Sequence, residues 1–256
     1  MSENFPVSYE DRKNGKVATV TLNGIAPNNT LSLELLNEFV ATMGKACEEA
    51  DGVIVNSNNP KFFSNGLDGG TLLAADQTTR ENTIAEMIRV YAKMLRFPKP
   101  WIAEIAGHAM AGGAVISSAA DYRYMIATGA RIGFSELAVG LSLPLVYIHN
   151  IHRLVQPACV RSIIEGNAYK ADEALRIGLI DGVAESPEDV RKMCLKRMDG
   201  ILRLEQAAYL PTRMRYRSAV LREIDRDEDM DVEGAMELTK TPAFEKALNM
   251  IAGKNR

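Results

Sequence analysis

Residue types that build metal centres and disulfide frameworks are scarce in this chain. Its three cysteines, Cys47, Cys159 and Cys194, lie far apart with no CxxC spacing, so neither a disulfide framework nor a zinc site is supported. They read as free thiols that pack as small hydrophobes. The three histidines form no HExxH pattern. His149 and His152 stand i,i+3 on an expected helix, without a nearby carboxylate in the sequence. Two ligands fall short of the three or four that a metal centre takes, and no metal is expected. No run of five or more basic residues occurs and the net charge is −3, which argues against nucleic acid as a partner. No apolar stretch is long enough to span a bilayer, and the opening MSENFPVSYEDRK has no hydrophobic signal core, so no membrane partner is expected. The closing Gly253-Lys254-Asn255-Arg256 does not read as a peroxisomal address. A cytoplasmic location is the expectation these absences leave.

What is present is enough apolar material for a sizeable core: 46% of the 256 residues are hydrophobic. Short β-branched or apolar runs predict strands over 16–22, 52–56, 101–106 and 122–127. Apolar residues at helical spacing predict helices over 32–40, 79–95 and 111–119 between them. This alternation points to an α/β chain with a mostly parallel sheet. After Gly133 the strand signal fades, and helices are predicted near 146–155, 157–165, 171–177, 187–204, 212–224 and 241–252. They read as an appended helical region.

Two glycine segments follow strand-like runs, Phe63-Ser64-Asn65-Gly66-Leu67-Asp68 and Gly107-His108-Ala109-Met110-Ala111-Gly112-Gly113-Ala114-Val115. Each can present backbone N–H groups at a strand-to-helix turn, because glycine permits a tight turn and close approach of the chain to a ligand. Downstream stands Glu136, in Ile132-Gly133-Phe134-Ser135-Glu136-Leu137. Its neighbours Phe134, Leu137, Ala138 and Val139 are apolar, so desolvation is expected to raise its pKa toward a working value. Glu104 precedes the second segment on a strand and is expected to point elsewhere. His108 reads as pocket-lining or structural, and Asp68 as ordering its loop or the following helix N-terminus.

These segments, with Asn29-Thr30-Leu31-Ser32, Lys99-Pro100-Trp101-Ile102-Ala103, Ala120-Asp121-Tyr122-Arg123 and the stretch from Ala171 to Asp181, resemble the crotonase (enoyl-CoA hydratase/isomerase) superfamily over nearly the whole chain. Thr30-Leu31-Ser32-Leu33-Glu34 and Ile132-Gly133-Phe134-Ser135-Glu136 look most like the Δ3,Δ2-enoyl-CoA isomerases, and Leu210 to Arg217 adds a looser match. The resemblance implies an α/β, ClpP/crotonase-like fold. Its repeated ββα spiral core would occupy residues 1–195, and a helical region, 196–256, would pack on the core or on a neighbouring subunit. It implies an acyl-CoA thioester substrate, with coenzyme A as part of the substrate and no prosthetic group, and a homotrimer or dimer of trimers.

The resemblance also assigns roles. Leu67 and Gly112 would donate their backbone N–H groups to the thioester oxygen as negative charge builds there, and Glu136 would be the acid/base. Ser64, Asn65, Gly66, Leu67, Asp68 and Gly112 would contact the CoA ester. Arg213, Arg215, Arg217 and Lys246 are candidates for its 3′-phosphate. Hydratases of the superfamily hold a water between two glutamates, and the first of these aligns with Val115. With one carboxylate retained, moving the double bond of a 3-enoyl-CoA to the 2-position is the implied activity. Hydration or other crotonase-type thioester chemistry is one alternative, and a non-catalytic acyl-CoA-binding subunit is another.

Overall fold

The structure is a computed structural model that describes residues 3–251. The closing tetrapeptide and the last residue of the helix expected at 241–252 lie outside the described residues. Strands β1 (Val7–Arg12) and β2 (Gly15–Leu22) form an antiparallel hairpin at one edge of a six-stranded sheet. From β2 onward the order runs through β3 (Gly52–Ser57), β5 (Trp101–Ile105), β7 (Tyr122–Ile126) and β10 (Gly182–Ala184), all parallel. Both faces of this sheet are covered, which is why β3 reads as a continuous apolar run rather than an alternating one. Val53 and Val55 join the main core with Phe39, Met43 and Trp101. Ile54 faces the opposite layer with Ile102, Val190, Cys194 and Met198.

A second sheet of four short strands follows the order β4 (Phe62–Ser64), β6 (His108–Met110), β8 (Arg131–Gly133) and β9 (Tyr169–Lys170). Strands β3, β5 and β7 of the first sheet are thus each followed by a short strand of the second and then by a helix. This is the repeated ββα unit that the resemblance implies. The second sheet is invisible to periodicity because β4, β6 and β8 have only three residues each, too few to show alternation.

Helix α1 (Leu33–Glu49) starts as expected: the Ser32 hydroxyl accepts from the Leu35 N–H at 3.3 Å. It runs on to Glu49, beyond the predicted end at residue 40. A short helix α2 (Gly69–Ala74) was not anticipated, and α3 (Gln77–Leu95) is capped by Asp76, whose carboxylate accepts from Thr79 N at 2.7 Å. Helices α4 (Gly112–Ser118), α5 (Leu145–Leu154), α6 (Pro157–Ile164), α7 (Ala171–Ile177) and α8 (Pro187–Leu202) fall close to the predicted spans. The boundary expected between residues 195 and 196 lies inside α8.

The largest difference is α9 (Gln206–Leu238), a 33-residue helix where 212–224 was expected. Its buried residues include Arg213, Arg217, Val220, Ile224, Asp227, Val232 and Ala235. Charged side chains occupy several core-facing positions, so no continuous apolar stripe marks the helix, and Pro211 lies within its first turns. Arg213 grips Asp121 through two bonds, Nε to Oδ1 at 2.8 Å and Nη2 to Oδ2 at 2.9 Å, and Arg217 Nη2 reaches Oδ1 at 2.6 Å. The remaining donors go to the Phe97 and Leu95 carbonyls, and Asp121 Oδ2 also accepts from Trp101 N. Arg213 and Arg217 are therefore buried ties between α9 and the core, not side chains free for a CoA phosphate. Arg215 and Lys246 are exposed. The described chain closes with α10 (Pro242–Ile251).

Candidate active site

A cavity of about 550 Å³ opens where the two glycine turns meet. Gly66 adopts φ +80°, and a Cβ built on it would stand 2.5 Å from Gly112 N, so the two turns are in contact. A Cβ on Gly113 would come within 2.2 Å of the Ser64 carbonyl oxygen, so only glycine fits there. Leu67 pairs with Leu31 in an isolated parallel bridge. Leu31 spends its N–H on Gly66 O (2.8 Å) and its carbonyl on Asp68 N (2.9 Å). In a parallel pairing the facing residue's own N–H and C=O point away from the partner strand, so the Leu67 groups are not used by Leu31. Gly112 is the first residue of α4, so its N–H has no partner within the helix. The residue before it, Ala111, holds φ 48° and ψ −125°, a conformation that costs a non-glycine residue about 1–3 kcal/mol and that marks functional sites. Leu67, Ala111 and Gly112 all line the cavity.

The segment at 28–32 braces the first turn. Asn29, buried and at φ 53°, donates to Phe63 O at 2.6 Å and to Ser57 Oγ at 2.9 Å, and accepts from Gly24 N at 2.5 Å. Ser64 is wholly buried. Its hydroxyl donates to Asn29 O at 2.8 Å and accepts from Gly66 N at 3.1 Å. Of the residues expected to contact the ligand, Ser64 and Gly66 are buried and are not part of the cavity lining. Asn65, Leu67, Asp68 and Gly112 line it.

Among the described residues two carboxylates line the cavity, and their surroundings differ. Asp68 caps α2: Oδ1 accepts from Thr71 N at 2.7 Å and Oδ2 from the Thr30 hydroxyl at 2.7 Å. Burial alone would push its carboxyl up, but these donors outweigh it and hold the group below its usual range. Glu136 opens a one-turn 3-10 helix, Glu136–Val139. Its Oε2 is buried and has no hydrogen-bond partner among the described residues. Burial raises its carboxyl to about 7, against the weaker pull of the N–H groups of Glu136 and Ser135. The expected desolvation is therefore present, and Glu136 is poised to take up and give back a proton near neutral pH.

The rest of the wall is largely apolar: Leu72, Ile84, Met87 and Ile88 on one side, Phe244 and Leu248 of α10 on another. Tyr147, from α5, also lines the cavity and was not singled out in the sequence. Glu104 does point elsewhere, bound to Arg191 at 3.1 Å. His108 lies outside the cavity, accepting from Arg131 N at 3.1 Å and packing on Phe62. Val115 is fully buried on α4 and does not reach the cavity. His149 does find carboxylates, contrary to the sequence reading: Glu223 and Asp227 approach it from α9. His152 is not part of that cluster, and Arg226 already binds Asp227 through two bonds of 2.7 Å and pairs with Glu223. A guanidinium thus supplies the positive charge there.

The family model described as enoyl-CoA hydratase/isomerase matches residues 12–255. The chain belongs to the enoyl-CoA hydratase/isomerase family. Among curated relatives, it is 27% identical over 165 residues to an enoyl-CoA delta isomerase 2, peroxisomal, of Arabidopsis thaliana, covering 59% of this chain and 69% of the relative. It is 30% identical over 181 residues to a short-chain-enoyl-CoA hydratase of Clostridium acetobutylicum, covering 69% and 68%. Human mitochondrial delta3-delta2-enoyl-CoA isomerase superposes with a TM-score of 0.89 over 98% of both chains at 23% identity, a likeness of fold. Membership makes the chain an enzyme of acyl-CoA thioesters. Isomerases and hydratases stand at comparable identity, so the finer activity has to come from the cavity.

Proposed function

We propose that the chain is an enoyl-CoA isomerase that converts 3-enoyl-CoA to 2-enoyl-CoA. The observation that carries this reading is the single available carboxylate. Asp68 is committed to Thr71 and Thr30, and the position where a hydratase's first glutamate aligns holds Val115. That leaves Glu136 without a second carboxylate to hold a water. In the proposed reaction the thioester oxygen accepts from Leu67 N–H and Gly112 N–H. Glu136 removes a proton from C2, the C–H electrons pass into a dienolate whose charge rests on that oxygen, and the same proton equivalent returns at C4. The double bond then lies between C2 and C3. Backbone donors suit this step because they are fixed before charge develops, each typically worth about 3–4 kcal/mol. The apolar walls keep out the water that hydration would consume. Asn65 and Asp68, beside Leu67, are assigned to the CoA side of the ester, and a homotrimer or dimer of trimers is the assembly proposed from the family resemblance.

The test is a paired assay. Isomerisation of 3-enoyl-CoA should exceed hydration of 2-enoyl-CoA, and dominant hydration would sink the reading. Because Glu136 must be ionised to accept the proton and its carboxyl sits near 7, kcat/KM should rise with pH through about 7. A flat profile from pH 5 to 9 would remove Glu136 as the base.

A further inference from the structure

Tyr147 stands out among the cavity residues. It is 2% exposed, and its ring is fixed edge-on against Tyr91 at a centroid distance of 4.6 Å. Its hydroxyl, unlike most buried tyrosine hydroxyls, has no hydrogen-bond partner among the described residues. The same cavity holds a second orphan of opposite kind, the buried Oε2 of Glu136. One is a donor lacking an acceptor and the other an acceptor lacking a donor. Burying either alone is costly, and both come from adjoining elements: the 3-10 turn ends at Val139, and α5 begins at Leu145.

We infer that the Tyr147 hydroxyl donates a hydrogen bond to the Glu136 carboxylate once an acyl chain fills the cavity, which makes Tyr147 a positioning residue for the proton carrier. The inference rests on the reading of Glu136 as that carrier. Catalytic hydrogen bonds are often long or misaligned in an empty site and tighten in the complex. The electrostatics agree. Burial first, then the charge of Glu136, then Tyr91 and Asp231 push the Tyr147 phenol well above its ordinary value. It therefore stays protonated and can serve Glu136 only as a donor.

The other groups around the pair leave that role open. Asp231 of α9 is bound to Leu145 N and Val146 N at 2.9 and 2.8 Å. Tyr91 of α3 carries a buried hydroxyl that also lacks a partner among the described residues, but Tyr91 does not line the cavity; Asp68 is bound to Thr30 and Thr71. Helix α4 brings no titratable side chain. Arg161 of α6 and Glu245 and Lys246 of α10 are exposed, and His149, on the same helix as Tyr147, is held by Asp227 at 2.7 Å.

The test is Tyr147→Phe, which keeps the ring contact and deletes the donor. The acid limb of kcat reports the pKa of the enzyme–substrate complex. Losing a donor to an anion raises that pKa, so the limb should move up by roughly one pH unit. The corresponding loss is about tenfold at pH 6, with recovery above pH 8 and KM changed less than about threefold. A ¹³C-carboxyl titration of Glu136 with a saturated acyl-CoA bound should show the same upward shift. If Tyr147→Phe leaves the midpoint and the titration unmoved while Glu136→Gln abolishes the limb, the tyrosine only packs and this inference falls alone. If Glu136→Gln leaves the limb in place, the carrier is another group and both readings fall.

Discussion

Two buried carboxylates, Asp121 and Glu136, show opposite ways of being buried. Asp121 accepts from Arg213, Arg217 and the Trp101 N–H. Burial on its own would raise its carboxyl, but Arg217 and Arg213 hold it below its usual range. Among the described residues Glu136 has no cationic partner and one of its oxygens is orphaned, and burial raises it to about 7. The first arrangement ties a helix to the core. The second stores an unfavourable charge state inside a cavity, which is what the proton transfer proposed for Glu136 would use. Burial alone does not mark a site; burial without compensation does.

The largest effect expected from breaking this contrast is on turnover. Glu136→Gln should lower kcat by about 10²–10⁴-fold, the range for a general acid/base, with acyl-CoA affinity changed little. Full retention of turnover would mean that a group other than Glu136 carries the proton. At Asp121 the effect is expected on stability instead. Asp121→Ala leaves two guanidinium groups buried without their carboxylate and should destabilise the fold by about 3–5 kcal/mol, read by urea unfolding. A loss under about 1 kcal/mol would mean the network is solvated enough to be indifferent.

The pH dependence of stability should split the same way, by a smaller amount. The folded pKa of Glu136 is raised above its unfolded value, so native Glu136 binds the proton more tightly between about pH 4.5 and 7, and its ionisation erodes stability as pH rises through that window. Glu136→Gln removes the burden and should stabilise the protein by about 1–3 kcal/mol at pH 8 and by little at pH 4. Asp121 has a depressed folded pKa, so its contribution is complete above the unfolded carboxylate value and is lost as pH falls through the folded one. A Glu136→Gln variant no more stable at pH 8 than at pH 4 would contradict the desolvation account.

The legible parts of the sequence are those where a single residue type has one physical use. Gly66 announces a positive φ and Gly113 a backbone approach that no side chain permits. Glu136 among apolar neighbours announces desolvation. Contacts between distant segments leave no local trace. The Asp121–Arg213 pair spans 92 positions, and Arg213 reads as a candidate for a CoA phosphate until α9 is seen docked. Tyr147, Phe244 and Leu248 look like ordinary core residues of their helices and become cavity wall only through the fold. Ser64 sits inside the matching motif, yet its hydroxyl faces Asn29. Position within a motif does not say which side of the wall a side chain occupies.

The smallest effect probes whether the candidate site gives up stability in its backbone as it does in its charge. Asn29 and Ala111 both hold positive φ, 53° and 48°. Asn29 is held there by bonds from its own side chain to Phe63 O, Ser57 and Gly24 N. Ala111 has no such side chain, and its conformation persists because Ala111 N donates to Gly133 O at 2.9 Å and Val115 N returns to Ala111 O at 3.0 Å. Glycine adopts this region without strain, and its greater freedom in the unfolded chain offsets part of the relief. Ala111→Gly should therefore raise stability by about 0.5–1 kcal/mol, a Tm increase of about 1–4 °C for a chain of this size. Turnover should fall a few-fold as Gly112 N–H becomes less firmly aimed. A lower Tm would show that Ala111 is not strained, and the contrast with Asp121 would then rest on charge alone.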